Sequence, residues 1–390
     1  MWGSHDGIAE LQGRQVPAGG PEAELWMGAH PSAPSVVVRH GEQTTLDALI
    51  AADPGRELGA DCAARFGGRL PFLLKVLSAD MALSIQVHPS RAQAEAGFVS
   101  ENARGLAVGD PARNYVDDWP KPELLCALTP FEVLAGMRTP ADAAAFLDAL
   151  SVDRLRPLAR GLASAGAGPQ DLGRALESIL CWPAGDRAEL IADVVAACSR
   201  VTAGPYAAAC AAVRRIAADH PGDIGIVAVL LLRHAVLQPG EAVFMPAGGL
   251  HAYLHGTGIE LLANSDNVVR AGLTGKHIDV PELLKLLDPA VAVPARQPVV
   301  LRDGVASYGT QVPEFRLYRV DAGDGTIDLP GAGPRILLCT EGALVLRNAA
   351  GETVKLGRGD SCFVSAADDA VSGSGPARIF LATVGAPLAG

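Results

Sequence analysis

The order of apolar and polar positions divides the chain into stretches of different texture. Residues 1 to 138 mix short apolar runs with turn signals. Val36–Val38, Phe72–Leu77 and Leu83–His88 read there as strands bounded by Pro and Gly. From Thr139 the period lengthens. Pro140 suits a helix first turn, and Ala141–Leu150, Leu172–Leu180, Arg187–Ala197 and Tyr206–Ala218 follow alanine-rich amphipathic patterns broken by Gly and Pro. His220-Pro221-Gly222 closes that stretch, and Asp223 is placed to cap the next helix. Strand character returns from Ala235 past Val268, followed by a short helix over Pro281–Leu286 and a proline-containing linker, Val291–Pro298. Beyond residue 299 strands and turns alternate, with Ile336–Cys339, Ala343–Leu346, Cys362–Val364 and Ile379–Leu381 as strand candidates. The pattern predicts a mostly β protein in which residues 1–138 and 221–290 form one unit. Residues 139–220 are an inserted helical module, and 291–390 a further β domain.

One internal echo refines this. Leu237–Pro246 and Leu356–Ser365 both read as a Gly turn, a strand and a second turn, the texture of a jelly-roll barrel. Histidines follow the first copy and none follows the second, so one working and one structural barrel are expected.

Composition sets the outer limits. With 390 residues, 49% hydrophobic and 19% charged, the chain can bury sizeable cores. A formal charge of −11 excludes the basic face that nucleic-acid binding needs, and obliges an anionic ligand to find a local basic pocket. The seven cysteines are scattered without CxxC spacing and read as free thiols of a reducing compartment. Met1–Gly7 has neither a basic nor an apolar signal region, and the longest apolar run, Ile224–Leu232, is too short to cross a bilayer. A cytoplasmic protein without membrane partners is expected.

Gln86 and His88 stand two apart on an expected strand, so their side chains leave the same face. Gly240, Pro246, Gly248 and His251 are spaced as G-x5-P-x-G-x2-H, which resembles the second signature of the cupin barrel, whose histidine ligates metal. Gln86-Val87-His88 resembles the first signature, H-x-H, with glutamine in the first place. An isolated histidine is most often a core or surface group; the two signatures together point to a metal. Glu123, in Lys121-Pro122-Glu123, has nothing locally distinctive. One amide, one carboxylate and two imidazoles suit a catalytic zinc with an open position.

A longer resemblance covers most of residues 1 to 290. Ala23–Pro31, Leu70–Leu77, Leu83–Pro89, Lys121–Glu123, Pro246–Leu254 and Ser265–Thr274 resemble, in order, the motifs of the type I mannose-6-phosphate isomerases. This implies two cupin-type jelly-roll barrels plus the helical module, with one zinc ion per chain held by Gln86, His88, Glu123 and His251. It also implies Arg270 beside the reacting carbons, and Lys75, Ser84, Lys121 and Glu260 lining the pocket. Two departures stand out. Trp119-Pro120 replaces the usual Asn-His before Lys-Pro-Glu, and a short strand that normally precedes Trp2-Gly3-Ser4 is not seen.

Such chemistry needs a Lewis acid, a fixed cation for the enediolate charge, and a base that carries a proton between two carbons. Arg270 is the fixed cation. Glu260 and Lys121 are both candidates for the base, and Lys75, Lys121 and Lys276 for the phosphate. His255 is a rim or core histidine as readily as a catalytic one. The partner is then a small sugar phosphate, and a monomer is expected over an oligomer. The competing readings are a non-catalytic cupin sugar-phosphate sensor and an iron-dependent cupin oxygenase, for which the Gln, His, Glu and His set is less typical.

Overall fold

The computed structural model describes residues 2–368 and 370–386. It is mostly β, with two nine-stranded sheets and a block of helices. The spine of the first sheet is the 13-residue strand His251–Ala263. Its first half pairs with Ile85–Val87 and Phe131–Met137, its second half with Phe72–Ala79 and Glu123–Ala127. The crossing from one half to the other falls at Gly256, whose φ is +126°. A Cβ there would stand 2.7 Å from the Pro130 carbonyl oxygen, so only glycine lets the strand turn the corner.

The 14-residue strand Arg335–Asn348 does the same in the second sheet, turning at Gly342. Ile336–Cys339 and Ala343–Leu346, expected as separate strands, are the two halves of this one. The repeated motif is structural as well. Gly240 (φ +88°) precedes the strand Ala242–Met245, and Gly359 (φ +85°) precedes Ser361–Val364.

The expected helices form as Pro140–Leu150, Pro169–Leu180, Arg187–Arg200 and Ala207–Asp219. They leave the sheet after Phe131–Met137 and return at Leu232–Leu237. Those two strands pair with each other, so the insertion does not interrupt the sheet. The helices bury Leu147, Leu176, Leu190 and Val213 against the sheet's outer face, where Ile85, Leu134, Ala252 and Val269 point outward. Asp223 accepts from the amides of both Gly225 and Thr274 and so ties two loops together, while the N-cap position of the short helix Gly225–Ala228 is Ile224 rather than the expected Asp223.

The sequence pattern misses five helices in the first 138 residues: Gly7–Leu11, Leu46–Ala52, Pro54–Leu58, Ala60–Arg65 and Arg91–Ala103. The last buries only Ala94, Gly97 and Glu101, so its apolar period is faint. A Ser90–Gln93 capping box starts it. Of Leu83–His88 only Ile85–Val87 is paired strand, and Val36–Arg39 forms a separate hairpin with Glu42–Thr45.

The two barrels share a core. Leu74, Val76, Leu124 and Leu261 on the outside of the first sheet pack against Phe315, Leu317, Leu338 and Phe380 of the second. Inside the first barrel, Leu77, Leu125, Met245 and Tyr253 fill one end. Two residues earlier on three of those strands, and so on the same face, stand Lys75, Glu123 and His251. The barrel thus has an apolar floor and a polar mouth. Among the described residues no helix is long and apolar enough to cross a membrane.

Candidate metal centre

Ligand atoms of His88, Glu123 and His251 lie within 4.8 Å of one another, and all three residues are buried. His88 Nε2 is 3.2 Å from Glu123 Oε1, and His251 Nε2 is 3.4 Å from Glu123 Oε2. Gln86 is directly opposite His251 in the sheet and brings its amide nitrogen to 3.4 Å from His251 Nε2. Turning the amide over puts the oxygen in its place, a choice that sequence and backbone leave open.

Backbone carbonyls settle which imidazole nitrogen faces the cluster. His88 Nδ1 donates to the Asn267 carbonyl at 2.8 Å, and His251 Nδ1 to that of Gly249 at 3.0 Å. Both protons are therefore on Nδ1, and both Nε2 lone pairs point inward. Among the described residues His88 Nε2 has no hydrogen-bond donor to fill its lone pair, only the Glu123 carboxylate facing it, although the residue is 0% exposed. Burial pushes its pKa down to about 4, so it is neutral at pH 7. Burial alone would raise the Glu123 carboxyl, but His88, Lys121 and His251 together hold it well below the usual range. An anionic carboxylate facing two imidazole lone pairs is a favourable arrangement only with a cation between them. The residues fit a divalent metal with nitrogen and oxygen donors.

Beside this cluster lies a chain of charges. Lys75 is directly opposite both Trp26 and Glu260. Its Nζ is 3.1 Å from Glu24 Oε1, 3.5 Å from Glu260 Oε2, and 4.4 Å from the centre of the Trp26 ring. Burial pushes the Glu260 pKa up to about 7; Lys75 resists this, and Glu123 and Glu24 add to it. Lys121 Nζ stands 3.4 Å from Glu123 Oε1.

Arg270 is on the strand next to Gln86, partly buried, its pKa lowered by burial alone. Among the described residues it makes no ion pair. Ser84 immediately precedes the Ile85–Val87 strand and is partly buried. Lys276 is on an exposed loop, and His255 faces Asp80 at 3.5 Å on the outer surface, away from the cluster. Trp119 is buried beneath the guanidinium of Arg69, 4.2 Å from its ring centre, and its carbonyl accepts from Asn267. The loop that lacks the usual histidine is anchored in this way.

Sequence reasoning left Glu24, Trp26 and Tyr253 without roles. Tyr253 donates to Glu123 Oε2 at 3.4 Å. Its place two residues after His251, on the same strand face, was the available signal.

Comparison with known proteins agrees with this geometry. A family model, phosphomannose isomerase type I catalytic domain, matches residues 1–140. Mannose-6-phosphate isomerase of Salmonella typhimurium is 37% identical over 387 residues, spanning 97% of this chain and 95% of that protein. The Escherichia coli protein is 36% identical over 383 residues, with the same coverage. A zinc-bound crystal structure of mannose 6-phosphate isomerase matches with a TM-score of 0.89 at 34% identity, covering 99% of this chain and 96% of that one. The chain is a member of the type I mannose-6-phosphate isomerase family.

Proposed function

We propose that this chain is a zinc-dependent aldose–ketose isomerase that interconverts mannose 6-phosphate and fructose 6-phosphate. The convergence of His88, Glu123 and His251 from distant strands onto one point carries the reading. Gln86 completes the donor set with its amide oxygen. When bound, zinc supplies Lewis-acid polarisation of the substrate's carbonyl and neighbouring hydroxyl.

The chain's own residues do the rest. Arg270, a permanent cation without a carboxylate partner among the described residues, meets the negative charge that develops on the two oxygens of the enediolate. Glu260 takes the proton from one carbon and returns it to the next. Its pKa near 7 suits a base that must both accept and release at neutral pH. Lys121 is the less favoured carrier, since its ammonium is engaged by Glu123. Lys75 holds Glu260 in place, and Ser84 and Lys121 line the substrate pocket in this reading.

Residues 1–138 and 221–290 form the catalytic unit in this reading, 139–220 a helical support, and 291–390 a barrel without metal. The seven free thiols support a cytoplasmic setting. The sensor reading has no support from the relatives, which are named as the isomerase.

A coupled isomerase assay with zinc measured on the same sample tests the proposal. Activity should track zinc content, vanish on chelation and return on re-addition. Full turnover by rigorously metal-free protein would overturn it.

A further inference from the structure

His30 lies in the Ala23–Pro31 motif, and neither the ligand set nor the proton carrier uses it. It is 4% exposed and meets the Trp26 ring edge-on, with centroids 5.0 Å apart. One neighbour fixes its tautomer. The Ser32 amide donates to Nδ1 at 3.2 Å, and a backbone N–H can only donate. The ring proton is therefore on Nε2, which stands 3.3 Å from Asp266 Oδ2.

The backbone around Asp266 is pinned. Asp117 accepts from the Asp266 amide at 2.9 Å and from the Ser265 hydroxyl at 2.8 Å. Asn267 donates its side chain to the carbonyls of Asp117 and Trp119, both at 2.8 Å, while its own carbonyl orients His88. What remains free is the Asp266 side chain, 48% exposed, for which His30 is the side-chain partner. The hydrogen bond from His30 is the main cause holding the Asp266 carboxyl below its usual range, and the charges of Lys121 and Lys75 add to it. The neighbouring Asn267 carbonyl accepts from His88, and His30 packs on Trp26, whose ring centre lies 4.4 Å from Lys75 Nζ, so the carboxylate stands at the edge of the metal pocket. On its other side it borders a cavity of about 420 Å³ shared with His30, Asn264 and Trp119.

We propose that His30 is a positioning residue: its Nε2–H fixes the Asp266 carboxylate at the mouth of the metal pocket, where that carboxylate accepts a hydroxyl of the sugar phosphate. This rests on the isomerase reading of the site. A carboxylate is an acceptor only, matched to hydroxyl donors, and one already held in its binding rotamer loses less freedom when the sugar arrives.

Two near-isosteric substitutions separate this from a packing role. His30→Gln keeps an amide donor near the place of Nε2, whereas His30→Asn reaches only the place of Nδ1. With zinc content, kcat and KM measured for each, His30→Gln should stay within about threefold of wild type in kcat/KM. His30→Asn should lose about tenfold to a hundredfold at unchanged zinc, the range for a lost hydrogen bond to a charged group. The double variant His30→Asn/Asp266→Asn should be no worse than Asp266→Asn alone. Wild-type activity in His30→Asn, no rescue by His30→Gln, or losses that multiply in the double variant would each overturn the proposal. If His30→Asn also lowers thermal stability, the double variant still decides, because a packing defect adds to the Asp266→Asn loss. A wild-type protein without isomerase activity sinks the reading of the site itself, a result distinct from all of these.

Discussion

Arg270 stands directly opposite Gln86 in the antiparallel register, and Gln86 stands opposite His251 on its other side. The row places a cation one strand, about 4.8 Å, beyond the last ligand candidate, with no ion pair to it among the described residues. Arg270→Ala should therefore cut kcat by about 10²- to 10³-fold, with zinc content unchanged. Arg270→Lys should recover only part of this, because an ammonium lacks the planar fork that meets two oxygens together. Loss of zinc from Arg270→Ala, by metal analysis, would instead make it a structural residue.

Lys75 is one ammonium shared by two carboxylates, Glu24 and Glu260. Lys75→Met should destabilise the fold by about 3 kcal/mol at pH 8, measured by denaturant unfolding, because it leaves a buried carboxylate uncompensated. The sign of the pH dependence follows from Glu260. Its folded pKa, already up at about 7, rises further without Lys75. A raised carboxyl favours the folded state below the unfolded pKa, and that advantage is lost as pH climbs through the folded value. The deficit of Lys75→Met should therefore widen between pH 6 and pH 8; a deficit flat with pH would mean Glu260 does not feel the lysine.

Glu260 as base makes its own prediction. Only the carboxylate can accept a proton, so kcat/KM should rise with pH through about 7 and then level. Glu260→Gln should lose about 10²- to 10⁴-fold and the acidic limb with it. A limb that survives in Glu260→Gln belongs to another group, with Lys121 the first to test.

The spine of the site was legible in sequence because period-two spacing and glycine-proline punctuation are local signals. Gln86 with His88, and Gly240 through His251, could be placed on strands before any coordinates. Glu123 could not be singled out without the family resemblance. Its environment is made by Lys121 beside it and by His88 and His251 from other strands, and that meeting is a property of the sheet register. The same holds for Glu24, whose partner Lys75 is 51 residues away. Arg91–Ala103 escaped notice for a different reason: small residues bury its face, so no apolar stripe marks it. The long strands of both barrels were split or under-read because glycines that bend a strand look like glycines that end one.

Tyr253 tests whether the site is tuned from behind. Its hydroxyl is buried and donates to Glu123 Oε2, so Tyr253→Phe removes one hydrogen bond and no volume from the floor of the barrel. Zinc affinity, from chelator competition, should fall by about tenfold to a hundredfold while the fold is kept. Unchanged affinity would mean that Glu123 is oriented by Lys121 and the histidines alone.

Glu132 ties the helical module to the barrel. It accepts from His234 on the neighbouring strand at 2.6 Å and pairs with Arg215 on the helix Ala207–Asp219. Burial pushes its pKa up, but the hydrogen bonds from His234 and Arg215 outweigh it and leave the carboxyl below its usual range. A depressed carboxyl stabilises the folded state above the unfolded pKa, about 4.3, and loses that contribution as pH falls through the folded value. Glu132→Gln should accordingly cost about 2 kcal/mol at pH 7, typical of hydrogen bonds to a charged group, and progressively less as pH drops below about 5. Hydrogen exchange should show the loosening first in the Ala207–Asp219 helix, since Arg215 is the group left without its anion. An equal cost at pH 7 and pH 3.5, or exchange that quickens uniformly across both barrels, would show that this contact does not hold the module in place.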